Sequence, residues 1–172
     1  MDINLASKRA LVCGSSQGIG RACAIELANL GASVTLFSRN QDKLETVKSE
    51  LCCAQGQKHQ VLIADFSQPE QVNNVILADV ASNGGFDILI NNTGGPAPGP
   101  ANSTDVSAFI DAFNLHLVTN HHLVQALLPA MKEKQYGRII NVISTSVKQP
   151  IPGLGVSNTI RGAVASWSKT LA

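Results

Sequence analysis

The stretch that most constrains this chain is Lys8-Arg-Ala-Leu-Val-Cys-Gly14-Ser15-Ser16-Gln17-Gly18-Ile19-Gly20-Arg-Ala. A short apolar run ends in a glycine-rich turn and a helical pattern starts at once, so the turn lies where a strand hands over to a helix. Gly14, Gly18 and Gly20 permit a tight bend and a close backbone approach to a ligand, and free N–H groups at a helix start suit a pyrophosphate. Such a triplet by itself also fits a strand-to-helix turn without a ligand, so the pattern of the later elements decides between the two.

Downstream, strand and helix patterns alternate. Ile19, Ala22, Cys23, Leu27 and Leu30 mark an apolar helical face stopped by Gly31. Ser33–Phe37 reads as a second strand, Asn40–Ala54 as a helix, Gln60–Asp65 as a third strand, and Pro69 opens a helix that ends at Gly84-Gly85. Phe86–Ile90 is a fourth strand leading into Asn91-Asn92-Thr93-Gly94-Gly95. A Pro/Gly-rich loop precedes a long helix from about Ser103 to Gln135, broken at most gently near Pro129. Gly137–Ile143 is a fifth strand, and a last helix begins near Ser157. This alternation predicts one α/β domain with a doubly wound parallel sheet in the order 3-2-1-4-5, with ligands bound at the carboxyl ends of the strands.

Composition bounds the partners. The 172 residues carry a net charge of +1, and Lys and Arg are scattered, so neither nucleic acid nor an anionic membrane finds a basic stripe. The start, Met1-Asp-Ile-Asn-Leu, shows no leader pattern, and the expected location is cytoplasmic. Cys13, Cys23, Cys52 and Cys53 lack metal-ligand or disulfide-framework spacing and read as buried small hydrophobes. The His121-His122 pair lacks partners and makes no metal site.

The end of the second strand chooses between cofactors. A domain preferring NAD places an acid there for the adenosine ribose, whereas an Arg accommodates a 2′-phosphate. Here the residues are Phe37-Ser38-Arg39-Asn40, which favours NADP over NAD. Asp65, followed by Phe66, suits either an adenine contact or a cap for the helix reached through Ser67-Gln68-Pro69.

These motifs together resemble the short-chain dehydrogenases/reductases, closest in flavour to the 3-oxoacyl-carrier-protein reductases. The similarity rests on Gly14-Ser-Ser-Gln-Gly18-Ile-Gly20, on Asn91-Asn92-Thr93-Gly94 and on Gly137-Arg-Ile-Ile-Asn-Val-Ile-Ser144, and extends over essentially the whole chain. It implies a Rossmann-type domain binding NAD(P) through Gly14–Gly20, Ser38, Arg39, Asp65, Phe66, Asn91, Thr93 and Gly94, a small carbonyl or alcohol substrate, and a homodimer or homotetramer formed through the long helix and the last one. The family continues past the point where this chain stops, so Leu171-Ala172, inside a helical pattern and before a sixth strand, reads as the end of a part.

The resemblance also exposes a departure. Ser144 matches the family's catalytic serine. Ser157 falls where the family has its tyrosine and Arg161 where it has its lysine. Counting back from Leu128-Pro129 puts His116 at the asparagine position, with Asn114 two residues before it. Serine cannot replace a phenol with a pKa of about 10 that a cation lowers further. The single tyrosine, Tyr136, precedes the fifth strand and lies roughly 25 Å from Ser144 at about 3.3 Å per residue. Arg161 can donate to the nicotinamide ribose, while His116 and Lys148 are the remaining titratable candidates for proton transfer. The sequence therefore supports an oxidoreductase with a remodelled proton donor, with a catalytically impaired dinucleotide-binding or oligomer-forming relative as the alternative. A non-redox enzyme on this scaffold fits poorly, because the halohydrin dehalogenases keep the tyrosine and give up the nucleotide turn.

Overall fold

A computed structural model describes residues 3–172; Met1 and Asp2, where the leader reading begins, lie outside them. Five parallel strands, β1 (Arg9–Cys13), β2 (Ser33–Ser38), β3 (Gln60–Ile63), β4 (Ile88–Asn91) and β5 (Arg138–Asn141), form a sheet in the order β3-β2-β1-β4-β5. The helices are α1 (Gly18–Asn29), α2 (Gln41–Glu50), α3 (Pro69–Asn83), α4 (Val106–Phe113), α5 (Thr119–Glu133) and α6 (Gly155–Leu171). The order matches the expectation, and it follows from right-handed crossovers that wind outward from β1 in both directions.

Strand alternation divides the core. Ala10 and Val12 of β1 pack with Val34, Leu36, Leu44, Ile88 and Ile90 on the α1/α2 face. Leu11 and Cys13 pack with Phe37, Ile76, Leu89, Leu123 and Leu127 on the α3/α5 face. A third cluster of Ala112, Val156, Ile160 and Val164 joins α4 to α6. Both faces of the inner strands are thus apolar, the pattern a parallel sheet requires.

Several boundaries and burials differ from the sequence reading. α1 buries Gly20, Ala24 and Ala28, while Ile19 is 59% exposed. Small residues let this helix lie close against the turn that precedes it. α2 ends at Glu50, which leaves Cys52 and Cys53 in the following loop; only Cys13 of the four cysteines is buried. The long helix starts at Val106, because Asp105 caps it by accepting from the Ser107 amide at 2.7 Å. Its irregularity is a π-helical turn at Asn114–Val118, whereas Pro129 stands on an exposed side inside α5 without ending it. β5 ends at Asn141, and α6 begins two residues earlier than expected. The histidine pair has partners: His122 Nε2 lies 3.7 Å from Glu70 Oε1, and His121 meets Trp167 edge-on at 6.2 Å. Among the described residues no group of metal-ligating side chains converges, and no helix is long and apolar enough to cross a membrane.

Candidate functional site

At the carboxyl ends of β1, β2, β3 and β4 lies a cleft of about 500 Å3. Its walls include Gly14, Ser16, Gln17, Ser38, Arg39, Asp65, Phe66, Thr93 and Gly94, nine of the positions the sequence assigns to a cofactor. A second hollow, of about 570 Å3, lies between the ends of α5 and α6 beside β5, away from all of these residues.

The glycine turn is built for close approach. Gly14 has φ +57°, and a methyl group there would stand 2.6 Å from the Asn92 carbonyl oxygen. A methyl at Gly20 would overlap the Gly14 carbonyl. Asn92 fixes the turn from the neighbouring strand end, donating through Nδ2 to the carbonyls of Cys13 at 3.3 Å and Gly14 at 3.2 Å. Above Gly18, at φ +59°, the space is open. No side chain caps the start of α1, so no protein acceptor competes from that position for its first amides. Ser15 turns away from the cleft: it is fully buried and its Oγ accepts from the Phe37 amide at 2.9 Å, tying the turn to β2.

At the end of β2, Ser38 is buried with an unpartnered Oγ, and Arg39 and Asn40 follow it onto the surface. Lys43, which the sequence reading missed, lines the same wall, with Nζ 3.5 Å from Gln17 Oε1. Asn40 caps α2 by accepting from the Lys43 amide at 2.9 Å, and this places Lys43 in the first turn, beside Arg39. The spacing from the capping residue is the signal that could have found it.

Asp65 does not cap α3, and it stands in the cleft wall, where the adenine contact was expected. Its Oδ1 accepts from the amide and the hydroxyl of Ser67, at 2.9 and 2.8 Å, while Gln68 occupies the cap position of α3. Those hydrogen bonds, chiefly from the Ser67 amide, hold the carboxyl below its usual pKa, with the Arg39 charge adding to them. Asn91 is buried rather than cleft-lining; its Nδ2 donates to Asn141 Oδ1 at 2.8 Å, linking β4 to β5.

The reacting end is organised around β5 and α6. Ser144 Oγ accepts from the Ser146 amide at 3.1 Å, which leaves its own proton free to donate. Ser157 and Arg161, one turn apart on α6, are each half-buried. Arg161 Nη1 donates to the Val142 carbonyl at 3.0 Å, and its Nη2 lies 3.9 Å from where a Cβ on Gly95 would be, directly behind the cleft wall. His116 sits in the π-helical turn, 1% exposed, with Nε2 unpartnered. Burial, assisted by the Arg161 charge, pushes its pKa down to about 4, so the imidazole is neutral at physiological pH. His116 and Ser144 are not part of the cleft wall, whose nearest residue in the π-turn is Leu115. Lys148 is exposed.

Residues 8–172 match the family model described as short chain dehydrogenase. The chain belongs to that family. L-Sorbose reductase from Gluconobacter frateurii, solved with NADPH and L-sorbose, superposes with a TM-score of 0.92 at 30% identity, over 99% of this chain and 65% of that one. The 3-oxoacyl-[acyl-carrier-protein] reductase FabG of Haemophilus influenzae is 31% identical over 96% of this chain and 66% of its own length. The inactive hydroxysteroid dehydrogenase-like protein 1 of Homo sapiens is 29% identical over 94% of this chain and 49% of its own length. The chain thus spans about half to two-thirds of the length of these curated relatives.

Proposed function

We propose that the chain is an NADP-dependent oxidoreductase acting on a carbonyl or alcohol substrate. The observation that carries this reading is the wall of the cleft at the end of β2, where Ser38, Arg39, Asn40 and Lys43 stand together and no acidic side chain projects from the strand end. An NAD-preferring site needs a carboxylate there, and the 2′-phosphate of NADP needs cations. The one carboxylate in the wall, Asp65, is already engaged by Ser67. NADPH in the solved L-sorbose reductase complex supports the same choice.

The residues present fit the dinucleotide. Gly14–Gly20 and the uncapped start of α1 would hold the pyrophosphate, Ser38 with its unpartnered hydroxyl would meet the adenosine ribose, and Arg39 and Lys43 its phosphate. The bound cofactor would supply or accept the hydride. Ser144 donates a hydrogen bond to the substrate oxygen, and Ser157 on α6 takes the position that the resemblance gives to the phenol. His116, neutral and enclosed, is a poor proton donor, so protons pass between the substrate oxygen and water by way of the serine hydroxyls. Assembly as a homodimer or homotetramer uses α4, where Val106, Ile110 and Phe113 are 70, 56 and 43% exposed along one stripe.

Fluorescence titration with NADPH and NADH at matched ionic strength tests the cofactor assignment. NADPH should bind at least about tenfold more tightly than NADH, and Arg39→Asp or Lys43→Ala should remove most of that preference, as expected for loss of a charge-assisted contact. Equal affinities in the unaltered chain would sink the assignment. NADPH binding without turnover of any ketone would select the binding-only reading that Ser157 and Arg161 also allow.

A further inference from the structure

Arg161, at the position the resemblance links to the nicotinamide ribose, carries a charge that the fold itself does not neutralise. Its guanidinium is half-buried, one nitrogen is held by the Val142 carbonyl at 3.0 Å, and among the described residues it forms no ion pair. Arginine remains protonated even where burial lowers its pKa, so the charge is permanent. A half-buried charge without a counter-charge is costly, and the surroundings offer no remedy.

That absence runs through the sequence around the site. Residues 134–172, which contain β5, the loop after it and α6, hold five Lys or Arg and no Asp or Glu. Residues 88–104, which contain β4 and the Gly94-Gly95 wall, hold no acid either. The acids that flank residues 88–104 are accounted for: Asp87 pairs with Lys134 at 2.9 Å, Asp105 caps α4 through Ser107, and Asp111 is exposed on α4. From the π-helical turn the group facing Arg161 is His116, which is neutral and leaves Nε2 unpartnered. The Arg161 guanidinium, a pure donor without a counter-charge, is the group that an anionic acceptor would complete.

The geometry points to a substrate that carries a carboxylate next to the reacting carbonyl: a 2-oxo acid, or the corresponding 2-hydroxy acid in the reverse direction. Arg161 Nη2 faces the back of Gly95 in the cleft wall, and the planar fork with one edge pinned by Val142 leaves the other edge for two parallel hydrogen bonds to a carboxylate. Ser157 lies one turn before Arg161 on the same helix face, so a carboxylate at the guanidinium brings the adjacent carbonyl towards the serine hydroxyls. The reaction balances as a ketone taking a hydride from the reduced nicotinamide at carbon and one proton from water at oxygen, giving the alcohol and the oxidised nicotinamide. This inference rests on the oxidoreductase reading for its chemistry but not for the anion site itself.

The test compares 2-oxobutanoate with its methyl ester, in turnover with NADPH and in calorimetric titration of the cofactor-free 172-residue chain. The acid should exceed the ester in kcat/KM by about 10- to 100-fold, and Arg161→Gln should bring that ratio close to one. Arg161→Lys, which keeps the charge and loses the fork, should retain a reduced preference and serves if the glutamine variant fails to fold. An unchanged acid-to-ester ratio in Arg161→Gln, with weakened NADPH binding instead, overturns the assignment and gives Arg161 to the cofactor. If NADPH does not bind at all, the oxidoreductase reading fails separately. Calorimetry then still decides: saturable 2-oxobutanoate binding that Arg161→Gln abolishes upholds the anion site, whereas no binding, or tighter binding of inorganic phosphate, refutes it.

Discussion

His116 should make the fold acid-sensitive in a way that can be isolated. Its ring is 1% exposed, has no acceptor at Nε2, and shares its surroundings with the Arg161 cation. Burial first and Arg161 second lower its pKa from 6.5 to about 4. Above the unfolded value both states are neutral and the ring contributes nothing to the pH dependence. Between that value and about 4 the unfolded chain takes up a proton that the folded chain refuses, so stability falls as pH falls. At about 1.36 kcal/mol per pKa unit the full loss is about 3 kcal/mol, of which about 2 kcal/mol has accrued by about pH 5. Urea unfolding followed by circular dichroism at about pH 8 and about pH 5, on the unaltered chain and on His116→Gln, measures it. Asp65 and Asp105, whose hydrogen bonds hold their carboxyls low, also lose stability in acid, but they do so in both proteins and cancel in the difference. The variant should therefore lose about 2 kcal/mol less than the unaltered chain over this range. A difference below about 0.5 kcal/mol would mean that water or a movement of the π-helical turn solvates the ring, and the burial argument would be wrong.

Gly20→Ala should cost about 1–3 kcal/mol in thermal or urea unfolding and weaken NADPH binding at least about tenfold, because the added methyl pushes on the Gly14 carbonyl in the turn; an unchanged melting temperature and affinity would show that the turn has slack. Ile110→Glu, in the middle of the exposed α4 stripe, should raise the dissociation constant of the oligomer at least about 100-fold in sedimentation equilibrium while leaving the far-ultraviolet spectrum intact. An oligomer that persists would move the interface elsewhere.

The sheet was legible because its signals are local. Each inner strand is a short apolar run bounded by turn residues, and Gly14, Gly31 and Gly84 fall where a positive φ is required. Most of the cleft wall was legible for the same reason, since it follows strand ends. What escaped depends on contacts between distant segments or on competition among polar groups. Lys43 joins the wall only because Asn40 sets the phase of α2. Asp65 spends its carboxylate on Ser67, an arrangement visible in the Asp-x-Ser spacing once turn chemistry is weighed against ligand chemistry. The partnership of His122 with Glu70 spans α5 and α3, and no periodicity announces it. The π-helical turn likewise has no residue signature, and it changes the angular spacing of the side chains around His116.

The two ends of the proposed site differ in what holds them. At the glycine turn the shape is set by backbone: positive φ at Gly14 and Gly18, an uncapped helix start, and a carbonyl that excludes any side chain at Gly20, whereas the proposed choice of NADPH over NADH rests on the side chains of Arg39 and Lys43. At the other end the proposal rests on individual side chains, among them Ser157 and Arg161, which stand where the resemblance leads one to expect a phenol and an ammonium. Arg161 keeps its protons, His116 has lost its extra one by neutral pH, and serine hydroxyls do not ionise in that range. The Arg161 charge is therefore constant across the physiological range, and the His116 ring stays neutral there. A fixed positive charge beside a neutral ring is poorly suited to tuning proton transfer and well suited to holding an anion, which is why the proposed carboxylate site falls at Arg161.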